Sequence, residues 1–404
     1  MDRKRPQRLP PRRLAAMGYE AAASGASALG LSPEGVIAAC RAVDREIAAG
    51  VTPGAVLAVV RGDGELVYAA GHADPDGPDP APVDAGTLYD CASLTKVTVT
   101  LPLALGLIDE GRLTLNTPAA SLLPEFASGG KEEVTVGQLL THTSGLPPLV
   151  NLHASHLTRE EMWQTVYRTP LQAKPGARMA YSDVGYMILG RIAEEMLGVP
   201  LNEAARVKIF GPLGMDSAGF CPPAGRTADI APTEYDASAG FRLHGVVHDE
   251  NARALGGVSG HAGLFAAAGD LVRYARMWLG CGLVPARTAG ARHDAAGAPG
   301  PRLLSRAAAL ASVRSFTESI PGASRGLGWA LKGDPLDASG DWMGPRSFGH
   351  TGFTGTSLWL DPERDLAVVL LTNRVYYGRG RTVAALRACV HNAIAGAVVT
   401  NEKF

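Results

Sequence analysis

Paired cysteines, an excess of one charge and an apolar run long enough to cross a membrane are all missing from this 404-residue chain. Its five cysteines (Cys40, Cys91, Cys221, Cys281 and Cys389) show no Cys-x-x-Cys spacing, and an odd number cannot all pair within one chain. They read as reduced or buried thiols, and Cys91 as a packing residue. A formal net charge of −1 provides no field that would favour nucleic acid or an anionic membrane. No uncharged apolar stretch reaches the roughly 18 residues of a spanning helix, and the C-terminal one is broken by Arg387, His391 and Asn392. The basic stretch from Arg3 to Arg13 is followed by residues 14–30, which are too polar for the apolar part of an export signal. Residues 1–30 are therefore expected to be a disordered tail, and the protein soluble and cytoplasmic.

What is present is enough apolar material, 46% of residues, to bury a sizeable core. Ser32-Pro33-Glu34 combines a cap with a first-turn proline and predicts a helix to about Ala49. Residues 55–61 and 65–70 flank Gly62-Asp63-Gly64 as a hairpin, and residues 72–84 form a surface loop. From Leu88 to about residue 320, helical segments alternate with long loops. Thr135 and Gln138 form a capping box, a helix starting near Asp183 stops at Gly198, and residues 283–301 have the composition of a mobile insertion. A second hairpin spans 356–360 and 366–372, and residues 382–399 form a last helix. If the two hairpins pair, the fold is α+β: an antiparallel sheet from the terminal segments, flanked by helices, with a mainly helical lobe inserted. The expected single catalytic domain covers residues 31–404, its sheet lobe about 31–87 and 322–404 and its helical lobe about 88–321.

Chemistry enters at Ser93-Leu94-Thr95-Lys96. A serine and a lysine three residues apart meet on a helix, where the amine can polarise or deprotonate the hydroxyl. Val97 to Thr100 are β-branched and Pro102 lacks a donor, so burial rather than propensity must make this segment helical, up to Asp109-Glu110-Gly111. A second Ser-x-x-Lys, Ser128 to Lys131, encloses two glycines and reads as a flexible, solvated loop.

Tyr181-Ser182-Asp183 and His350-Thr351-Gly352 follow in order, about ninety and then about one hundred seventy residues further along. Together with Glu110–Leu115, Leu139–Leu146, Gly326–Trp329 and Gly349–Gly352, these motifs resemble the serine β-lactamase and penicillin-binding-protein superfamily, in particular its class C-like branch of esterases and D-aminopeptidases. The resemblance covers about residues 33–399. It implies that Ser93 attacks an acyl carbonyl, that Lys96 and Tyr181 handle protons, and that the backbone N–H groups of Ser93 and Phe353 form the oxyanion hole. It also implies that Asp183, His350, Thr351 and Gly352 contact substrate, with glycines 349, 352 and 355 letting substrate lie close to a strand edge, and that no cofactor or metal takes part. The partner is then a small acyl substrate.

Two departures shape the expectation. Asp183 stands where asparagine is frequent, and a carboxylate near Lys96 favours its protonated form, which shifts the base role towards Tyr181. Asp183 reads equally as a helix cap. His350 stands where lysine is usual and holds a substrate carboxylate less firmly, favouring ester or amide chemistry on a less acidic substrate over β-lactam hydrolysis. A transacylase, a D-amino-acid peptidase and a non-catalytic peptidoglycan-binding relative are the alternatives. His142 reads as a structural histidine. His244, His248, Asp249 and His261 lie among glycines, which suggests loop rather than a rigid metal-ligand helix, and their role stays open.

Overall fold

The computed structural model describes residues 11–78, 80–153, 157–285 and 300–399, with side chains from Gly18 onward. The strands are β1 (Gly54–Arg61), β2 (Gly64–Gly71), β3 (Tyr89–Asp90), β4 (Gly219–Phe220), β5 (Tyr235–Asp236), β6 (Phe241–Arg242), β7 (Leu264–Ala266), β8 (Ala330–Leu331), β9 (Phe348–Thr351), β10 (Ser357–Asp361) and β11 (Leu366–Thr372). Six of them form one antiparallel sheet in the order β2-β1-β11-β10-β9-β8, so the first and last hairpins do pair. Ala55 faces Thr372 and Arg61 faces Leu366 across that junction.

β1 and β11 are buried on both faces, which explains their nearly continuous apolar sequence. Val56, Ala58, Val60, Ala367, Val369 and Leu371 point into the large core shared with the helical lobe. Their alternates Ala55, Leu57, Val59, Leu366, Val368 and Leu370 point into a second core under α1 (Pro11–Ala28), α2 (Pro33–Ala48) and the helix Ala384–Ala397. Ser32 caps α2 by accepting from the Gly35 N–H, as its sequence predicts.

Residues 11–28 of the expected disordered tail are helical instead. Ala22 and Ala26 are buried, and the Tyr19 ring stacks on Tyr68 of β2 at 5.8 Å. Small alanines let this helix approach the sheet closely, a form of burial that a hydrophobic-run criterion does not detect. Lys131 is likewise not solvated: it is buried, donates to the Thr169 carbonyl at 2.9 Å and lies 5.3 Å from the Phe126 ring centroid. Most of the expected 283–301 insertion lies outside the described residues. Among the described residues no helix is long and apolar enough to cross a membrane.

Candidate active site

Ser93 follows a tight turn after β3, where the Asp90 carboxylate accepts from the Ala92 N–H at 2.8 Å and Ala92 adopts a positive φ of 46°. The chain then enters a helix whose first full turn, Lys96–Thr100, is π-helical and continues into α3 (Leu101–Asp109). The Leu101 N–H reaches back to the Lys96 carbonyl, a wide turn that falls where Pro102 offers no donor. The β-branched residues are all buried here, so burial does override propensity.

This geometry sets Lys96 Nζ 2.9 Å from Ser93 Oγ. The ammonium is completely buried and has two further oxygens close by, the His261 carbonyl at 3.0 Å and Asp183 Oδ1 at 2.6 Å. Burial alone would lower the Lys96 pKa, but the Asp183 charge, with further help from Tyr181, more than reverses this, and the net shift is upward. Lys96 therefore stands as a cation. Asp183 does not cap its helix, because Ser182 does so by accepting from the Gly185 N–H at 3.1 Å; Asp183 occupies the first turn and is free to face Lys96. Gly198 ends that helix in the left-handed conformation, φ 70°, as expected.

Tyr181 closes the third side, its ring centroid 4.9 Å from Lys96 Nζ and its hydroxyl near enough to Lys96 and Ser93 for both to favour its ionised form. Burial raises the Tyr181 pKa; the Lys96 charge opposes this and the Asp183 charge adds to it, leaving the value above normal. His142 supports the tyrosine from behind. Its ring lies 4.5 Å from that of Tyr181 and 5.0 Å from that of Tyr186, its Nδ1 accepts from the Ser182 N–H at 3.0 Å, and burial holds it neutral.

Ser93, Tyr181, His350, Thr351, Gly352 and Phe353 share the wall of one cleft of about 460 Å³. His350 belongs to β9, where it pairs with Leu358, and its Nδ1 bonds the Thr351 carbonyl at 2.8 Å, which leaves Nε2 buried without a partner. Desolvation first, then the Lys96 and Arg325 charges, keep this ring neutral. Neither the Ser93 nor the Phe353 backbone N–H is spent on an acceptor among the described residues, so both can donate to a bound oxyanion. The glycines of this segment are required by the protein's own packing. A Cβ on Gly349 would meet the Trp359 ring at 2.3 Å, one on Gly352 would meet Thr356 Oγ1 at 2.1 Å, and one on Gly355 would meet Thr372 Oγ1 at 2.0 Å.

The histidines of the glycine-rich segments separate. His244 bonds the Ile230 carbonyl, His248 pairs with Glu234 at 2.9 Å, and His261 pairs with Asp249 at 2.9 Å. Ligand atoms of Asp183, Asp249 and His261 converge within 4.8 Å of one another, a spacing that could hold a metal ion. A divalent ion there would face the Lys96 ammonium, whose charge also helps hold the Asp249 carboxyl below its usual range. The His261 carbonyl thus supports Lys96, with Asp249 holding the His261 ring, an arrangement their sequence spacing does not reveal. Arginines 325, 374, 379, 381 and 387 also line the cleft and carry no motif.

The beta-lactamase family model matches residues 41–392. A putative D-alanyl-D-alanine carboxypeptidase of Escherichia coli K12 is 33% identical over 325 residues, 73% of this chain and 71% of the relative. A protein of the same description from E. coli O157:H7 is 33% identical over 371 residues, 83% of this chain and 81% of its own. Among solved structures, EstCE1, described as a hydrolase with promiscuous acyltransferase activity, aligns with a TM-score of 0.68 at 22% identity over 90% of this chain and 98% of its own. A class C beta-lactamase aligns with a TM-score of 0.68 at 19% identity over 92% and 98%. The sheet of terminal segments, the inserted helical lobe and the family match agree, and the chain belongs to the beta-lactamase family, within the superfamily of serine β-lactamases and penicillin-binding proteins.

Proposed function

We propose that Ser93 is the nucleophile of a serine hydrolase that cleaves a small ester or amide through an acyl-serine intermediate. The observation that carries this is the 2.9 Å contact between Lys96 Nζ and Ser93 Oγ at the floor of an open cleft. Lys96 is a fixed cation that donates to Ser93 Oγ and the His261 carbonyl and is paired with the Asp183 carboxylate, so it lowers the energy of a developing alkoxide without removing the proton. The phenolate form of Tyr181 takes the Ser93 proton as Oγ bonds to the acyl carbon, and the resulting phenol gives that proton to the leaving alcohol or amine as the tetrahedral adduct collapses. The oxyanion accepts from the Ser93 and Phe353 N–H groups. Water then attacks the acyl-enzyme with Tyr181 again as proton carrier, releasing the acid and restoring Ser93.

His350 and Thr351 contact substrate in this reading, His350 through its bare Nε2 as an acceptor. The carboxypeptidase relatives support an amide ending in a D-amino acid as one substrate. Hydrolysis of para-nitrophenyl acetate and of a D-alanyl amide, each measured in wild type and Ser93→Ala, tests the reading. Loss of both activities in the variant is expected; retention of either at the wild-type rate would defeat it.

A further inference from the structure

The two N–H groups that receive the oxyanion stand on segments that meet only in the folded chain: Ser93 follows β3, and Phe353 follows β9. A carbonyl oxygen that acquires charge needs both donors within about 3 Å, and an error of about 1 Å costs roughly 100-fold in rate. The two segments must therefore be held at a fixed separation. Asp90, which the proton transfers do not use, touches both.

Asp90 is the last residue of β3 and is buried. Burial pushes its carboxyl pKa up, and the chief opposition comes from two backbone N–H groups rather than from a paired cation. One carboxylate oxygen accepts from the Ala92 N–H at 2.8 Å, the other from the His248 N–H at 2.6 Å. A carboxylate suits this task because it accepts at both oxygens, whereas the amide of asparagine would turn a donor towards one of the two N–H groups. The first contact closes the turn directly before Ser93 and holds Ala92 at φ 46°, a conformation that a residue other than glycine keeps only where its surroundings impose it.

The remaining contacts reach the loop that carries Phe353. The Asp90 carbonyl accepts from the Thr354 hydroxyl at 2.7 Å, and the adjoining Cys91 carbonyl accepts from the Thr356 hydroxyl at 3.1 Å. Gly352 passes so near that a Cβ there would lie 2.5 Å from the Cys91 carbonyl oxygen. His248, held by Asp90 at its N–H and by Glu234 at its ring, stacks on the Phe353 ring with centroids 5.6 Å apart. The Asp90 side chain thus braces the turn before the nucleophile, its carbonyl braces the loop after β9, and His248 joins the two through a third segment.

We propose that Asp90 is a positioning residue that sets the separation of the Ser93 and Phe353 N–H donors, with Thr354 as its counterpart on the second loop. This rests on the acyl-serine reading above. Asp90 is not among the residues that line the cleft, so its effect on the reaction passes through the two donors.

The test sets O-para-nitrophenyl thionoacetate, in which sulfur replaces the carbonyl oxygen, beside para-nitrophenyl acetate. Sulfur accepts hydrogen bonds weakly, so the oxygen ester draws far more from two well-placed donors. The ratio of the two kcat/KM values therefore reports the oxyanion hole and does not depend on how much of a variant is folded. Asp90→Asn and Thr354→Val are each expected to lower that ratio by roughly tenfold or more, through the oxygen ester, while Thr354→Ser, which keeps the hydroxyl, holds it near the wild-type value. A loss of stability alone would lower both rates together. An unchanged ratio in either Asp90→Asn or Thr354→Val would overturn the assignment. Should Asp90→Asn fail to fold, the contrast between Thr354→Val and Thr354→Ser decides by the same ratio. Failure of the acyl-serine reading looks different: Ser93→Ala would then keep both activities, whereas an inactive Ser93→Ala with unchanged ratios in the other variants removes the positioning role alone.

Discussion

The Asp183 carboxylate lies 2.6 Å from the Lys96 ammonium, and this contact holds the lysine in its charged form despite burial. A buried lysine on its own would shed its proton near neutrality and serve as a base. Here the partner carboxylate keeps it charged, and the mechanism proposed above accordingly gives the lysine a fixed electrostatic role and the proton to Tyr181.

The pH profile follows from that division. Because the Tyr181 pKa is raised above 10, kcat/KM for a neutral ester should keep climbing from about pH 7 to about pH 9.5 without a plateau. A lysine base with a depressed pKa would level off near neutrality instead. Tyr181→Phe should lose roughly 100-fold to 10,000-fold in kcat/KM and lose the alkaline rise.

Asp183→Asn removes the group that outweighs burial at Lys96. The lysine pKa should then fall, and a new limb should appear in the pH–rate profile at lower pH than any in wild type. Stability should drop by roughly 1–3 kcal/mol in denaturant unfolding, since a fully buried cation loses its partner while two other oxygens remain near it. An unchanged profile would mean that Asp183 does not control Lys96.

Acid should destabilise the fold through its buried histidines. His142, His350 and His391 are all held below the ordinary value, His391 at about 4, chiefly by burial. Each is neutral in both folded and unfolded states above about pH 6.5, so its contribution is complete there. As pH falls from about 6.5 towards 4, the unfolded chain takes up protons that the folded chain refuses, and stability is lost. Thermal unfolding followed across that interval should show the midpoint falling, and replacing His391 with Gln should flatten the slope.

Much of this was legible in the residues themselves. The three motifs identify the side chains that meet, and the Ser32 cap and the two hairpins mark elements whose signals are local. What escaped the sequence depends on contacts between distant segments. Asp249 and His261 gain meaning only because the loop after Gly260 lays a carbonyl against Lys96. Arg374 and Arg387 belong to no motif and reach one cleft wall only in the folded chain. α1 is alanine-rich, and its helicity depends on the sheet surface beside it. Ser182 rather than Asp183 took the cap position because its hydroxyl, one residue earlier, reaches the Gly185 N–H.

The most direct measurement is intact-mass spectrometry of the protein quenched during turnover of a slowly deacylating ester, followed by peptide mapping. The account predicts one added acyl group, carried by the peptide containing Ser93 and absent from Ser93→Ala. An acyl group mapped to another residue, or turnover by wild type with no adduct even under acid quench at saturating ester, would contradict it.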